Sequence, residues 1–261
     1  MSEMKYLEIS LVEHCNLNCK SCSHFSPIAE EEYIDVNRLQ QDLSRMSELF
    51  QKKLHMMRLM GGEPLLHPSL ISILKTARQI FPKTYIQLVT NGLLLPKLDD
   101  EFYRCCSENE IDIHITIYPV KNVYPAILEY LNVRQVKYSI ASNSINKEKT
   151  FHHLVINKNG GHDANHNFTQ LCYCSTCTNL SKGKLYLCPV RASMKHFVKY
   201  FDQGLKLFEE DGYDIYKENV SAKSILEFLS KPTPFCEYCN CESIQYGQQW
   251  EQSKKLITEW T

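Results

Sequence analysis

The feature that most constrains the fold of this 261-residue chain is a regular alternation of short apolar runs with amphipathic segments in its amino-terminal half. The apolar runs predict strands, and the segments between them place apolar residues at helical spacing. We predict strands over 5–12, 56–60, 84–90, 111–118 and 136–141, and helices over 35–54, 68–81, 99–108 and 123–131. Consecutive strands joined by helical crossovers pair in parallel. The pattern therefore predicts an α/β fold, an open partial barrel with fewer units than an eight-stranded barrel.

The twelve cysteines point to metal ligation rather than to disulfide bonds. The first strand begins at Lys5 without the apolar core of an export signal, and no apolar stretch is long enough to span a membrane. We therefore expect a cytoplasmic protein, in a reducing compartment where thiols stay free to bind metals. The net charge of −1 indicates neither a nucleic-acid partner nor a membrane partner.

Three of these cysteines, Cys15, Cys19 and Cys22, follow the first predicted strand with the spacing Cys-x3-Cys-x2-Cys. A [4Fe-4S] cluster normally takes four thiolates, so three leave one iron open to a small molecule. Zinc is the alternative, because it accepts three thiolates and one histidine and His14 and His24 flank the loop. The next cysteines, at 105 and 106, lie inside a predicted helix and are expected to pack as apolar side chains, which favours the cluster.

Two further motifs end the next two strands. Gly61-Gly62-Glu63-Pro64 follows the second strand, where the glycines permit close backbone approach and Glu63 can accept a hydrogen bond from an ammonium group. Thr90-Asn91-Gly92 follows the third strand, at the carboxyl edge where parallel sheets bind ligands. Each motif is also typical of an ordinary turn.

The three-cysteine loop, followed one βα unit later by the glycine motif, resembles the radical S-adenosylmethionine (radical SAM) superfamily. The resemblance implies a partial (β/α)6 barrel, and an open iron chelated by the amino and carboxylate groups of SAM. An external donor such as flavodoxin or ferredoxin would supply the electron that cleaves SAM to a 5'-deoxyadenosyl radical. It further implies cofactor contacts from Gly61, Gly62, Glu63, Pro64 and Asn91. Family members commonly carry an aromatic residue before the third cysteine; Ser21 stands there, so Phe25 is expected to supply the ring near adenine.

The alternation breaks near 155, and we place a domain boundary there, with a barrel over 1–155 and a second domain over 156–261. We predict helices over 221–229 and 250–260 in the second domain. It holds seven cysteines, among them the end of a short hairpin, Gly183 to Cys188, and the pair Cys236-Glu-Tyr-Cys239. These features resemble the SPASM or twitch domain. That resemblance implies one auxiliary [4Fe-4S] cluster held by Cys172, Cys188, Cys236 and Cys239, with Cys177 as the alternative to Cys172. A zinc ribbon built from the same four thiolates is the alternative.

The resemblance implies an enzyme that abstracts a hydrogen atom from its substrate. No segment that would recruit a leader peptide precedes the first strand, so we expect a small-molecule substrate such as a sugar or nucleotide sugar. An auxiliary cluster that accepts an electron would give oxidation, whereas a hydrogen-donating cysteine, with Cys174 and Cys241 as candidates, would give epimerisation. The alternatives are a peptide-modifying (RiPP) maturase and a non-catalytic metal-binding module.

Overall fold

The computed structural model describes residues 3–120, 123–141, 150–153, 155–202 and 204–261, with only the backbone given for 150–153. Ten strands and seven helices are found in these ranges. The strands are β1 (Met4–Val12), β2 (Leu54–Gly61), β3 (Tyr85–Thr90), β4 (Ile111–Ile115), β5 (Tyr138–Ile140), β6 (Thr150–His153), β7 (Asn179–Ser181), β8 (Lys184–Tyr186), β9 (Gly212–Asp214) and β10 (Gln245–Gln249). The helices are α1 (Val36–Phe50), α2 (Leu70–Ile80), α3 (Asp100–Glu108), α4 (Tyr124–Val133), α5 (Ala164–His166), α6 (Pro189–Phe201) and α7 (Ala222–Leu229). None of these helices is long and apolar enough to cross a membrane.

The main sheet has eight strands in the order β5-β4-β3-β2-β1-β7-β8-β9. Strands β1 to β5 pair in parallel, which confirms the predicted α/β fold with a mostly parallel sheet. The second half of the chain continues this sheet, because β7 pairs in parallel with β1 and leads into the antiparallel strands β8 and β9. In the described ranges, five rather than six successive barrel strands are seen, since β6 pairs instead with β10 in a separate antiparallel sheet.

Alternation along the strands separates an apolar face from a polar one. In β1, Leu7, Ile9 and Leu11 are fully buried in the core that also contains the apolar face of α1. The intervening residues, including Tyr6 and Glu8, occupy the opposite face, because successive side chains of a strand point to opposite sides. The apolar face anchors the helices, and the polar face is left for the interior of the partial barrel.

The segment 250–261 is not the predicted helix, and only a short 3-10 turn over Ile257–Glu259 forms there. The Glu259 carboxylate accepts hydrogen bonds from Ser253 Oγ at 2.5 Å, from the backbone N–H of Lys254 at 2.6 Å and from that of Leu256 at 3.2 Å. These bonds fold the backbone around one buried side chain. The segment therefore takes an irregular path, and it ends in the fully buried Trp260.

Trp260 belongs to a second core, which lies apart from the one beneath the sheet. Its buried members come from the segment after the cysteine loop, from α6 and from several positions in the second half of the chain: Phe25, Ile28, Ile156, Val190, Met194, Phe197, Leu205, Phe235 and Trp260. The indole N–H of Trp260 also donates to the backbone carbonyl of Cys22 at 3.0 Å. This core therefore fixes the position of the loop that carries the first three cysteines.

Candidate active site and metal centres

A cavity of about 710 Å³ opens at the carboxyl edge of the parallel strands. It brings together six residues predicted from the sequence: Cys15, Cys19, Cys22, Gly61, Gly62 and Asn91. The cavity is also lined by polar side chains from the strands and from the residues that follow them, including Arg58, His114 and Thr116. The cavity therefore joins the predicted cluster loop to a polar surface that can hold a second molecule.

The three loop cysteines have the chemistry that a cluster requires. None of the three forms a disulfide bond. Burial, reinforced by the nearby charges of Glu63, Cys22 and Cys19, raises the pKa of the Cys15 thiol well above its usual value. A thiol in such surroundings becomes a thiolate when a metal cation binds it, so these side chains fit a bound iron-sulfur group.

The groups around Cys22 favour the thiolate form of that residue. Burial raises its pKa, but hydrogen bonds from His24 and from the backbone of Ser26 outweigh burial and lower the pKa to about 7. Leu17 N–H donates to Cys15 Sγ at 3.3 Å. Hydrogen bonds to ligand sulfurs are among the ways in which a protein tunes an iron-sulfur cluster.

The glycine pair is required by close packing as well as by the cavity. Gly62 N–H donates to the Val12 carbonyl at 2.7 Å, and Glu63 N–H donates to the His14 carbonyl at 3.1 Å. A Cβ atom at Gly62 would lie 1.9 Å from the His14 carbonyl oxygen, and Gly61 has φ +127. The end of β2 therefore packs directly on the backbone that leads into Cys15.

Replacing Gly62 with alanine should separate β2 from the cysteine loop and reduce both cluster retention and SAM affinity by more than tenfold. The reason is that neither partner in the 1.9 Å contact is a flexible side chain. Gly161→Ala is the matched control, because an added Cβ there meets nothing within 4 Å and only the φ of +89 is strained, at a cost of about 1 kcal/mol. Iron content after anaerobic reconstitution measures both variants, and equal retention would contradict the packing argument.

Glu63, predicted to hold the cofactor amine, is surrounded by donors of the protein. Its carboxylate is fully buried and accepts hydrogen bonds from Thr90 Oγ1 at 2.7 Å, Asn91 N–H at 3.0 Å and Leu65 N–H at 3.0 Å. Pro64 is also buried and begins a 3-10 turn. Neither residue is among those that line the cavity, and their contact with the cofactor stays a prediction.

Asn91 is the neighbour that Glu63 positions, and it does line the cavity. Its side-chain amide donates to Asn16 Oδ1 at 2.7 Å and lies 3.9 Å from Cys15 Sγ. The third strand is thereby tied to the cysteine loop. The placement leaves Asn91 available to a ligand bound beside the loop.

Phe25 is not among the residues that line the cavity, and its place beside adenine stays a prediction. Its side chain is fully buried in the second core, with ring centroids 5.7 Å from Phe197 and 5.8 Å from Trp260. The aromatic residues that do line the cavity are Tyr118, Tyr173 and Trp250. Sequence reasoning missed Trp250 because it lies more than two hundred residues beyond the loop, and no local motif marks it.

The seven cysteines of the second half lie within electrostatic range of one another. The charges of Cys177 and Cys241 raise the pKa of Cys172, those of Cys172, Cys177 and Cys188 raise the pKa of Cys174, and those of Cys172, Cys188 and Cys236 raise the pKa of Cys239. Burial raises the pKa of Cys188, and the charges of Cys172 and Cys236 add to the effect. Within the described ranges, no three Cys, His, Asp or Glu side chains lie close enough together to bind one metal ion.

Cys174 and Cys241, the predicted hydrogen-atom donors, belong to this group. Both are buried, and neither is among the residues that line the cavity, so their role stays a prediction. The group meets the cavity at Tyr173, whose ring lines it.

A row of polar side chains crosses the interior face of the sheet, and sequence reasoning did not predict it. Strand register aligns its members, Asn179, Glu8, Arg58, Gln87 and Asp112, on one face. Arg58 Nε donates to Gln87 Oε1 at 2.9 Å, and Gln87 Nε2 donates to Asp112 Oδ2 at 2.9 Å. At the other end, Glu8 Oε2 and both amide atoms of Asn179 are buried without a hydrogen-bond partner in the described part of the chain.

Comparison with known proteins identifies the family. Residues 9–155, more than half of the chain, match the family model of the radical SAM superfamily. The chain belongs to the radical SAM superfamily. Members of this superfamily use a [4Fe-4S] cluster and SAM, so membership confirms these two predicted cofactors.

Named relatives resemble only part of this radical SAM chain. A GTP 3',8-cyclase of Trichodesmium erythraeum (strain IMS101) is 36% identical over 110 residues, which cover 40% of this chain and 32% of the cyclase. Molybdenum cofactor biosynthesis protein 1 of Bos taurus is 35% identical over 94 residues, or 36% of this chain and 15% of the bovine protein. The matches thus span about a third or less of the length of these relatives.

A solved structure shares the fold along nearly the whole chain. The crystal structure of BtrN in complex with AdoMet and 2-DOIA has a TM-score of 0.55 and 18% sequence identity to this chain. The alignment covers 97% of this chain and 98% of BtrN. The fold of this radical SAM protein, including its cysteine-rich half, therefore has a known precedent.

Proposed function

We propose that this chain cleaves SAM reductively and uses the resulting radical to oxidise a small polyhydroxylated molecule, such as a sugar or nucleotide sugar. The observation that carries the proposal is that one cavity is lined both by the three-cysteine loop and by polar strand residues. When bound, the cluster and SAM supply the 5'-deoxyadenosyl radical that removes a hydrogen atom from substrate carbon. Cys15, Cys19 and Cys22 hold the cluster, while Gly61, Gly62 and Asn91 form the adjoining cofactor wall.

The substrate class follows from the polar strand residues that line the cavity, which include Arg58, His114 and Thr116. Arg58 adds a donor to the cavity wall itself. Buried polar groups need partners, and substrate hydroxyls serve as both donors and acceptors. An apolar substrate would leave these groups unsatisfied, whereas a sugar would pair with them.

Oxidation is favoured over epimerisation because the two candidate hydrogen donors lie away from the cavity. We propose that Cys172, Cys188, Cys236 and Cys239 hold an auxiliary cluster, which when bound accepts one electron. With both groups bound, the substrate would lose a hydrogen atom to the radical, giving 5'-deoxyadenosine, and then one electron to the auxiliary cluster and one proton to solvent. Cys177 lies within electrostatic range of Glu8 and Arg58, so the cysteine group adjoins the polar row.

Iron counting tests the auxiliary site. Wild-type enzyme reconstituted anaerobically should hold roughly eight irons, and Cys188→Ala should lower this to roughly four. The variant should still cleave SAM, because the first cluster is untouched. Cys106→Ala, in the buried face of α3, is the matched control and should keep all eight irons. Four irons and one zinc in the wild type would support a zinc ribbon and contradict the auxiliary cluster.

Deuterium transfer tests the substrate class. Labelled sugars, nucleotide sugars, nucleotides including GTP, and peptides are each incubated with enzyme, SAM and reduced flavodoxin or ferredoxin. We expect 5'-deoxyadenosine to acquire deuterium from a sugar or nucleotide sugar, and the product to be two mass units lighter than the unlabelled substrate. Deuterium from GTP or a peptide, or a product of unchanged mass, would contradict sugar oxidation.

A further inference from the structure

Trp250 is an aromatic wall of the cavity that no local motif of the sequence reveals. Its ring lines the cavity together with the cysteine loop. It meets Tyr118 edge to face, with ring centroids 6.2 Å apart and planes at 72°. Tyr118 is itself within electrostatic range of all three loop thiols, Cys15, Cys19 and Cys22. The two rings therefore form an aromatic corner beside the predicted cluster.

The indole N–H of Trp250 lacks a partner. Its Nε1 atom is buried and has no hydrogen bond within the part of the chain that the structure describes. Buried tryptophan N–H groups usually find an acceptor, because leaving a donor unpaired costs about 1–3 kcal/mol. The other tryptophan follows this rule, since Trp260 donates to the Cys22 carbonyl. The free donor at Trp250 thus marks a position where a ligand acceptor fits.

Backbone contacts fix Trp250 relative to the cluster loop. Gln252 forms an antiparallel bridge with Cys19. Lys20 N–H donates to the Glu251 carbonyl at 3.0 Å, and the side chains of the same two residues form a salt bridge of 2.9 Å. Ser253 N–H donates to the Asn18 carbonyl at 2.8 Å. These main-chain hydrogen bonds therefore hold the segment that carries the indole against the cysteine loop.

We infer that Trp250 binds the adenosine half of SAM and donates its Nε1 hydrogen to an acceptor of that group. The inference rests on the proposed use of SAM by this site. The amino-acid half of SAM must lie at the open iron, so its adenosine stays within one molecule's length of the loop. Adenosine offers ring nitrogens and ribose oxygens as acceptors and a flat ring for the aromatic corner. The substrate, in contrast, is proposed to contact the polar strand residues of the cavity, such as Arg58 and His114.

Two probes on the reconstituted enzyme separate this role from a structural one. S-adenosylhomocysteine carries both the amino acid and adenosine, whereas methionine carries the amino acid alone. Affinity for each is measured anaerobically from the change in the EPR spectrum of the reduced cluster. Trp250→Phe keeps a ring but removes the donor, Trp250→Ala removes both, and Leu256→Ala is a control at an exposed residue of the same segment.

We expect Trp250→Phe to weaken S-adenosylhomocysteine binding roughly fivefold to tenfold, and Trp250→Ala more strongly, with methionine binding unchanged in both. Leu256→Ala should match wild type with both probes. Unchanged S-adenosylhomocysteine affinity in Trp250→Ala would overturn the assignment, and so would equal weakening of both probes, which indicates a displaced loop. A wild-type enzyme that binds neither probe would overturn the proposed function and, with it, this role.

Discussion

Replacing Cys19 with alanine should abolish 5'-deoxyadenosine formation, with a loss well beyond the roughly 10–100-fold that follows removal of an outer-shell partner of a metal site. Cys19 lines the cavity, forms no disulfide bond and is the middle member of the three-cysteine loop. Without it, two thiolates remain for a cluster that needs three, and the site for SAM is lost. The measurement is chromatography of 5'-deoxyadenosine after addition of SAM and a chemical reductant.

Two comparisons make the Cys19 result specific. Cys105→Ala changes a buried thiol in α3, outside both cysteine groups, and should leave 5'-deoxyadenosine formation intact. Cys19→Ala should also lose about half of the iron while keeping the share bound by the second half of the chain. Substantial 5'-deoxyadenosine formation by Cys19→Ala would show that the cluster is bound elsewhere.

Replacing Glu63 with alanine should lower the free energy of unfolding by about 3 kcal/mol or more. The substitution leaves three buried donors without an acceptor: the Thr90 hydroxyl and the N–H groups of Asn91 and Leu65. SAM affinity should fall as well, because Asn91 is no longer held beside the cysteine loop. Urea unfolding under anaerobic conditions measures the first effect, and a loss below about 1 kcal/mol would contradict the role assigned to the carboxylate.

The same carboxylate predicts a pH dependence of stability. Burial raises the pKa of Glu63 to about 7, although its three hydrogen bonds oppose the shift. The folded protein therefore holds a proton that the unfolded chain releases near pH 4.5. Below pH 4.5, Glu63 makes its full contribution to the free energy of unfolding. This contribution decreases as the pH rises and is lost above about pH 7.

Glu63→Gln removes the titration and provides the test of this pH dependence. Relative to the variant, wild type should lose up to roughly 3 kcal/mol of stability between pH 4.5 and pH 7. Unfolding in urea at several pH values from 5 to 8 measures the difference. A difference that stays constant, or that grows in favour of wild type as pH rises, would contradict a raised pKa.

The parallel sheet and the cluster loop could be predicted because their signals are local. Strand and helix periods lie within each segment, and Cys15, Cys19 and Cys22 are separated by only a few residues. The glycine motif belongs to the same class, although the need for glycine at 62 comes from a contact with His14 that the sequence does not reveal. Local spacing thus identified the residues of the loop and its neighbouring turn.

The remaining features depend on packing between distant segments. Phe25 follows the loop closely, yet its ring packs in the second core. Trp250 reaches the cavity because Gln252 pairs with Cys19. Glu63 faces inward because Asn91, from the next strand, supplies donors for it. Each outcome is set by a partner far away in sequence, and no periodicity within one segment indicates which partner is chosen.

The most direct measurement of the central claim is electron-nuclear double resonance of the reduced cluster with SAM that carries ¹⁵N in its amino group. A cluster held by only Cys15, Cys19 and Cys22 should show hyperfine coupling to that nitrogen, and the coupling should disappear in Cys19→Ala. Absence of coupling in a fully loaded wild-type enzyme, or a colourless protein that binds zinc in the loop, would contradict the account.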